Sequence, residues 1–260
     1  MAAVHVSARD PRISALLSTR APLGTVLAEG HWAHQCLLDA GADIDILVYC
    51  PPLLDEPARK LAQAAARRAR VAYEVSAKTF ARITRRTSPS GLASLVRLPR
   101  WNAGDGVIGN QLIDENTLVL VADGIEYATN LGALIRVVDA SGAHALLLTN
   151  RQARLNHPDV FTASRGTLLT TPVIDFGESS AAAAWLTRQG FGIHLALPEG
   201  PCDNRDRPLR GRPTAIVVGS EGRGVSAHWR SVAHEVVSIP MRGRADSLNV
   251  AVAAGILLFR

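Results

Sequence analysis

Three short segments, far apart in the chain, hold side chains from which chemistry could be built. The first is Asn130-Leu131-Gly132-Ala133-Leu134-Ile135-Arg136. Asn130 follows the turn-like stretch Asp123 to Thr129 and reads as a helix N-cap, its amide taking an otherwise orphan N–H. Leu131, Leu134, Ile135 and Val138 keep the i, i+3, i+4, i+7 spacing of a core-facing stripe, which leaves Gly132 and Arg136 four apart on another face. A guanidinium beside a glycine that admits close approach can meet a phosphate or polarise a hydroxyl. The same spacing also allows a surface pair between Arg136 and Asp139.

The second segment, Gly219-Ser220-Glu221-Gly222-Arg223-Gly224, follows an apolar run. Its glycines let backbone amides come close to a ligand and Glu221 supplies a carboxylate, although a plain tight connection looks the same. The spacing is G-x-x-G-x-G and not the G-x-G-x-x-G of dinucleotide-binding folds, which disfavours a nicotinamide-dependent enzyme. The third segment joins Ile239-Pro240-Met241 to Ser247-Leu248-Asn249. Pro240 ends a strand by removing a donor, and Ser247 reads as the cap of the final helix. Asn249, amid Leu248, Val250 and Val252 in the first turns of that helix, needs a polar partner. Two lesser stretches are Leu195-Ala196-Leu197, which ends an apolar strand, and Ser164-Arg165-Gly166, whose arginine suits either RNA or a surface salt bridge.

The elements that must hold these segments are legible in the hydrophobic pattern. Leu118 to Ala122, Ala145 to Thr149, Ile193 to Leu197, Ala215 to Gly219 and Val236 to Ile239 are short runs apolar on both faces, the pattern of parallel strands covered on each side. Helices are expected between them, at Leu131 to Ala140, Asp159 to Gly166, Ser180 to Gln189, Ala227 to Val232 and Leu248 to Phe259. Before this half lies a smaller alternation. Its helices fall at Ile13 to Leu17, His31 to Ala40, Asp55 to Arg70 and Ala77 to Arg85, and its strands at Thr25 to Ala28, Ile44 to Tyr49, Val71 to Val75 and Leu92 to Arg97. The organisation is therefore α/β throughout: residues 1–105 as a smaller N-terminal domain, 106–116 as a linker without periodicity, and 117–260 as the larger domain.

The chain has 260 residues, is 47% hydrophobic and carries a net charge of +5, enough apolar content for real cores. Lysine occurs only at Lys60 and Lys78, so the positive charge is nearly all arginine, whose planar fork suits bidentate phosphate contacts. GC-rich coding would give the same preference. Cys36, Cys50 and Cys202 are odd in number and show no C-x-x-C or Cys/His spacing, which argues against a disulfide framework and a zinc site and fits a reducing cytoplasm. None of the histidines clusters for metal or acid–base work; His31 and His34, on one helix face, read as surface or packing residues. No apolar run reaches the ~18 residues of a membrane helix and no signal peptide is apparent, so a soluble cytoplasmic protein is expected.

In order and in C-terminal placement, the three segments resemble the signature motifs of the SpoU/TrmH family of RNA 2′-O-ribose methyltransferases, part of the SPOUT superfamily. The departures are Ala128-Thr129 where the family often has Pro-Gly, and Ser220 where asparagine is more frequent. The resemblance implies an α/β-knot: a mostly parallel sheet with a deep trefoil knot, the chain end threaded through a loop, an exception to the rule of unknotted folds. It implies S-adenosylmethionine as cofactor, no metal, and a homodimer. Asn130, Arg136, Glu221, Ser247 and Asn249 match catalytic positions. Leu195, Ala196, Leu197, Gly219, Ser220, Gly222, Ile239, Pro240, Met241, Leu248 and Asn249 match the cofactor pocket, with backbone groups of Ile239 and Leu248 on the adenine.

The N-terminal half is similar, more loosely, to the ribosomal-protein-like domain of rRNA-directed members, through Glu29-Gly30 and the loop Arg85 to Gly91. That implies an RNA surface of Arg85, Arg86, Arg97 and Arg100, with Arg136 and Arg165 meeting RNA at the active site. The expected partner is RNA and not DNA or membrane, and large-subunit (23S) ribosomal RNA more than transfer RNA. Protection against a peptide antibiotic is one role of such enzymes. A transfer-RNA methyltransferase, or a catalytically silent RNA-binding or assembly factor of the same fold, is the alternative.

Overall fold

The structure is a computed structural model that describes residues 4–5, 22–84, 87–198, 202–203, 211–220 and 222–259. Two compact units divide the chain: Met1–Pro99 with Asn156–Phe161, and Arg100–Leu155 with Thr162–Arg260.

Unit 1 is built on five strands, β1 (Val4–His5), β2 (Thr25–Glu29), β3 (Ile44–Tyr49), β4 (Val71–Glu74) and β5 (Leu92–Arg97), in the order β1-β4-β3-β5-β2. β1, β4 and β3 run parallel, and β5 is antiparallel to both β3 and β2. Three helices join them: α1 (His31–Asp39), α2 (Glu56–Arg68) and α3 (Ala77–Ile83). α2 begins where Asp55 accepts from the Ala58 N–H at 2.9 Å and lays Ala58, Ala62 and Ala65 against the sheet. His34 is fully buried, its Nδ1 donating to the Gly30 carbonyl and its Nε2 accepting from the Ser94 hydroxyl, both at 2.8 Å. It is thus a packing residue with both nitrogens engaged. The helix expected at Ile13 to Leu17 lies outside the described residues.

Unit 2 opens with a small antiparallel meander, β6 (Ala103–Gly104), β7 (Val107–Ile108) and β8 (Gln111–Leu112), in the stretch expected to be a linker. Strands of two residues are too short to show periodicity. Ile108, with Trp101 and Ile113 against it, nevertheless joins the main core of the unit. The principal sheet follows: β9 (Leu118–Asp123), β10 (Ala145–Thr149), β11 (Val173–Gly177), β12 (Gly192–Ala196), β13 (Cys202–Asp203), β14 (Thr214–Gly219) and β15 (Glu235–Ser238). Their order is β11-β10-β9-β14-β12-β15-β13 and every pairing is parallel. The central strands β9, β10 and β14 are buried along almost their whole length, as continuous apolar runs require. β11 escaped the sequence reading because it neighbours only β10 and carries Asp175, which takes Arg151 at 2.6 Å on the exposed side.

The helices of unit 2 are α4 (Ala128–Ser141), α5 (Pro158–Ala163, which spans the unit division), α6 (Ser179–Arg188), α7 (Ala227–Val232) and α8 (Val250–Leu258). α5 stops short of the expected Gly166 because Arg165 and Gly166 take left-handed backbone, φ 54° and 85°, which no right-handed helix continues. α4 ends at Gly142 in the same left-handed region. No helix among the described residues is long and apolar enough to cross a membrane.

Candidate active site

Parallel strands point their carboxyl ends one way, and ligands of open α/β sheets sit in the crevice beyond those ends. Here the crevice is a cavity of about 160 Å³, where a single water needs roughly 10–15 Å³. Ala196, Leu197 and Pro198 enter it from the end of β12, and Val218, Gly219 and Ser220 from β14. The chain after β15 adds Ile239, Met241, Ser247 and Leu248, and α8 closes it with Val250, Ala253 and Leu257. The lining is predominantly apolar, with the Ser220 and Ser247 hydroxyls as its polar side chains.

The glycine segment folds back on itself. Ser220 and Gly224 exchange backbone hydrogen bonds at 3.1 and 2.8 Å, and Ser220 Oγ accepts from the Arg223 N–H at 3.1 Å. A Cβ at Gly219 would collide with the backbone of Gly224 and Val225, so this position admits only glycine. The turn is anchored by Asp123, at the end of β9 and 2% exposed. Its carboxylate accepts from Thr149 Oγ1 and Asn150 Nδ2 at 2.8 Å each and from the Ser226 N–H at 2.6 Å. A buried carboxylate needs such a donor set, because unpaired it is costly. The sequence reading passed over Asp123. Its signal was a lone carboxylate closing an otherwise apolar strand.

A second, smaller cleft, lined by Ile125, Glu126, Tyr127, Asn130 and Gly222, shares Ser220 and Val250 with the cavity. Asn130 does not cap its helix. Tyr127 holds that position without a side-chain bond, and Asn130 sits within the first turn. Its Oδ1 instead accepts from Asn249 Nδ2 at 3.1 Å. The cap of α8 is Asn249, whose Oδ1 accepts from the Ala251 N–H at 3.0 Å, and not Ser247, which is exposed and donates to Asp246 at 3.2 Å. The loop thus runs two residues further than its serine suggested.

Other anticipated residues lie elsewhere. Leu195 is 1% exposed, in the core beneath the cavity. Pro240 is exposed beside the cavity-lining Ile239 and Met241. Arg136 is exposed on α4 and lines neither space; no ion pair ties it to Asp139. Arg165 is exposed after α5. Arg97 is held by Asp45 at 2.8 Å, and Arg100 is exposed at the start of unit 2. Glu221, Arg85 and Arg86 lie outside the described residues. Among the described residues no cluster of His, Cys, Asp or Glu could hold a metal ion.

An all-parallel α/β sheet with a glycine-closed apolar cavity at its carboxyl edge, next to an amide-lined cleft, defines a nucleoside-type cofactor binder with a separate substrate position. The chain belongs to the SpoU rRNA Methylase family, whose model matches residues 117–259. It is 35% identical over 147 residues to the 23S rRNA (guanosine-2′-O-)-methyltransferase RlmB of Ralstonia nicotianae, covering 56% of this chain and 59% of that one. The chain thus matches about three fifths of that relative's length. A crystal structure of an RNA 2′-O ribose methyltransferase superposes with a TM-score of 0.78 at 29% identity, covering 99% of this chain and 97% of the other. The SpoU methyltransferase AviRb of Streptomyces viridochromogenes, solved with AdoMet, shares the fold with a TM-score of 0.83 at 23% identity and 96% coverage of both chains.

Proposed function

We propose that this chain is an S-adenosylmethionine-dependent RNA 2′-O-ribose methyltransferase of the cytoplasm whose target lies in 23S ribosomal RNA. The observation that carries the reading is the convergence of three distant segments: Gly219-Ser220 and the Ile239 to Leu248 stretch around one cavity, with Asn130 bonded to Asn249 beside it.

The cavity suits that cofactor. Leu197, Ile239, Met241 and Leu248 offer an apolar slot for an adenine ring, with backbone groups of Ile239 and Leu248 at its edge. The Gly219 turn keeps side chains out of the way of a close-lying ligand. When bound, S-adenosylmethionine supplies a methyl group on an electrophilic sulfonium. The residues of this chain position the ribose against it. Asn130, fixed by Asn249, and Ser247 orient the sugar, and Glu221 serves as the acidic group of the glycine turn. Arg136 stays protonated at neutral pH and holds a phosphate by charge instead of removing a proton. The enzyme's contribution is orientation and electrostatics.

Homodimerisation belongs to the same reading. α8 is apolar all round, so a helix of this kind wants cover on both sides. Its inner face packs against α4 and β14, while Val252, Ile256 and Phe259, at i, i+4 and i+7, are 51%, 40% and 58% exposed. A second copy presenting the same stripe closes it isologously. Because Arg136 lines neither space in its own chain, the dimer would let it serve the neighbouring site. Threading of the chain end through a knot, with the 239–249 stretch inside the loop, completes the proposed architecture.

The test is calorimetric titration with S-adenosylmethionine and with NAD, followed by mapping of new 2′-O-methyl groups on 23S rRNA and on transfer RNA. Binding of the first ligand only, with one methylated ribose on 23S rRNA, is expected. Modification of transfer RNA alone would change the substrate, and cofactor binding without any transfer would leave a silent RNA-binding factor. Failure to bind S-adenosylmethionine refutes the reading.

A further inference from the structure

In unit 1, α2 and the strands beside it enclose a groove of about 460 Å³ that methyl transfer does not use. Ala62, Ala66 and Ala72 line it and leave it room. Arg59, Gln63 and Arg67 also line it, four residues apart, so they form one row along the helix spanning about 12 Å at 1.5 Å per residue. Tyr49, half-buried at the end of β3, adds an aromatic side chain; its hydroxyl donates to Glu74 Oε2 at 3.5 Å.

What distinguishes the row is the state of its cations. Lys60 pairs with Glu56 at 3.2 Å, Arg68 donates to the Leu38 carbonyl at 3.1 Å, and Arg70 reaches Asp45 at 3.4 Å. Each of these three, on or just past α2, has a partner. Arg59 and Arg67 have neither an ion pair nor a side-chain hydrogen bond among the described residues, and both face the groove. The acids at hand are engaged: Asp55 with the Ala58 N–H, Glu56 with Lys60, Glu74 with Tyr49. The groove therefore presents two uncompensated guanidiniums, an amide between them and an aromatic ring. Guanidiniums take phosphate oxygens bidentately, while amides and rings take sugars and unstacked bases.

We propose that this groove docks a single-stranded stretch of the RNA substrate, with Arg59 and Arg67 each on a phosphate and Gln63 on the sugar or base between them. The proposal rests on the RNA-directed reading above and adds a surface apart from the arginines expected from sequence, of which Arg97 is already neutralised by Asp45.

The experiment is fluorescence anisotropy of a labelled single-stranded RNA of mixed sequence with the full chain, repeated across salt concentrations. Arg59→Glu/Arg67→Glu is expected to weaken binding tenfold or more and to flatten the slope of log affinity on log salt by roughly 2, about one unit per lost phosphate contact. Arg82→Glu, an exposed cation on α3 outside the groove, is expected to leave affinity near wild type. Equal affinity and slope in wild type and the double variant overturn the proposal, as does an equal loss in Arg82→Glu. Titration of each variant with S-adenosylmethionine separates the readings. A wild-type chain that binds the cofactor but not the RNA sinks the groove and leaves the transferase reading standing.

Discussion

The side-chain amide of Asn249 donates to Asn130 Oδ1 at 3.1 Å, across 119 residues of sequence. The same side chain accepts the Ala251 N–H and starts α8, so one residue ties the start of the last helix to the first turn of α4. Two polar segments that would otherwise be independent thereby share one orientation beside the cavity.

The two bonds of Asn249 can be separated by substitution. Asn249→Asp keeps the oxygen that caps α8 and removes the N–H given to Asn130, whereas Asn249→Ala removes both. Losing a cap costs about 1 kcal/mol, and losing an orienting group in a reaction site costs on the order of 100-fold in rate. Both variants are thus expected to lose methyl transfer, with Asn249→Ala alone showing a lowered denaturation midpoint. Full activity in Asn249→Asp, measured by transfer of labelled methyl to rRNA, would contradict the role given to the bond.

Asp123 controls the glycine turn from behind. Asp123→Ala strands three buried donors, from Thr149, Asn150 and Ser226, and should cost several kcal/mol at about 1–3 kcal/mol for each unsatisfied group. Asp123→Asn keeps one acceptor and sets an amide N–H against another donor. Its expected effect falls on cofactor affinity, with amide hydrogen exchange accelerating through the turn at 222–226. Unchanged S-adenosylmethionine affinity in Asp123→Asn would show that the clamp does not shape the cavity.

Much of this arrangement was legible in the sequence, and what was not has identifiable causes. β3 and β5 coincide with their apolar runs because burial on both faces leaves little room for ambiguity. Caps were misplaced because tertiary partners choose them: Asn130 looks like a cap until Asn249 claims its oxygen, and Ser247 precedes a loop that continues to Asn249. The meander at 103–112 was lost because its anchors, Trp101, Ile108 and Ile113, are apolar residues spread through a polar stretch. Asp123 and the groove of α2 depend on which donors meet which acceptors, and no spacing rule carries that information.

Stability should fall in mild acid through His34. Burial, only partly offset by the bond to the Gly30 carbonyl, lowers its pKa from 6.5 to about 4. The unfolded chain therefore takes up a proton that the folded chain refuses, and stability is lost as pH falls from about 6.5 towards 4. At ~1.4 kcal/mol per unit this amounts to roughly 3 kcal/mol. His34→Gln removes the titration, so its urea midpoint should depend less steeply on pH than that of wild type across this window. Parallel curves would rule out His34 as the source.

The outer stripe of α8 gives the last prediction. Its inner face already has α4 and β14 as neighbours, so Val252, Ile256 and Phe259 can be changed with little effect on the fold of one subunit. Ile256→Glu puts a charge where an isologous partner would place its own Ile256, and two like charges in an apolar contact cost several kcal/mol. Light scattering is expected to report a dimer for wild type and a monomer for Ile256→Glu, with the cofactor still bound by calorimetry. If Arg136 serves the neighbouring site, that monomer should bind S-adenosylmethionine normally and transfer no methyl group. Wild-type turnover by a proven monomer would remove the partner from the mechanism and return Arg136 to its own chain.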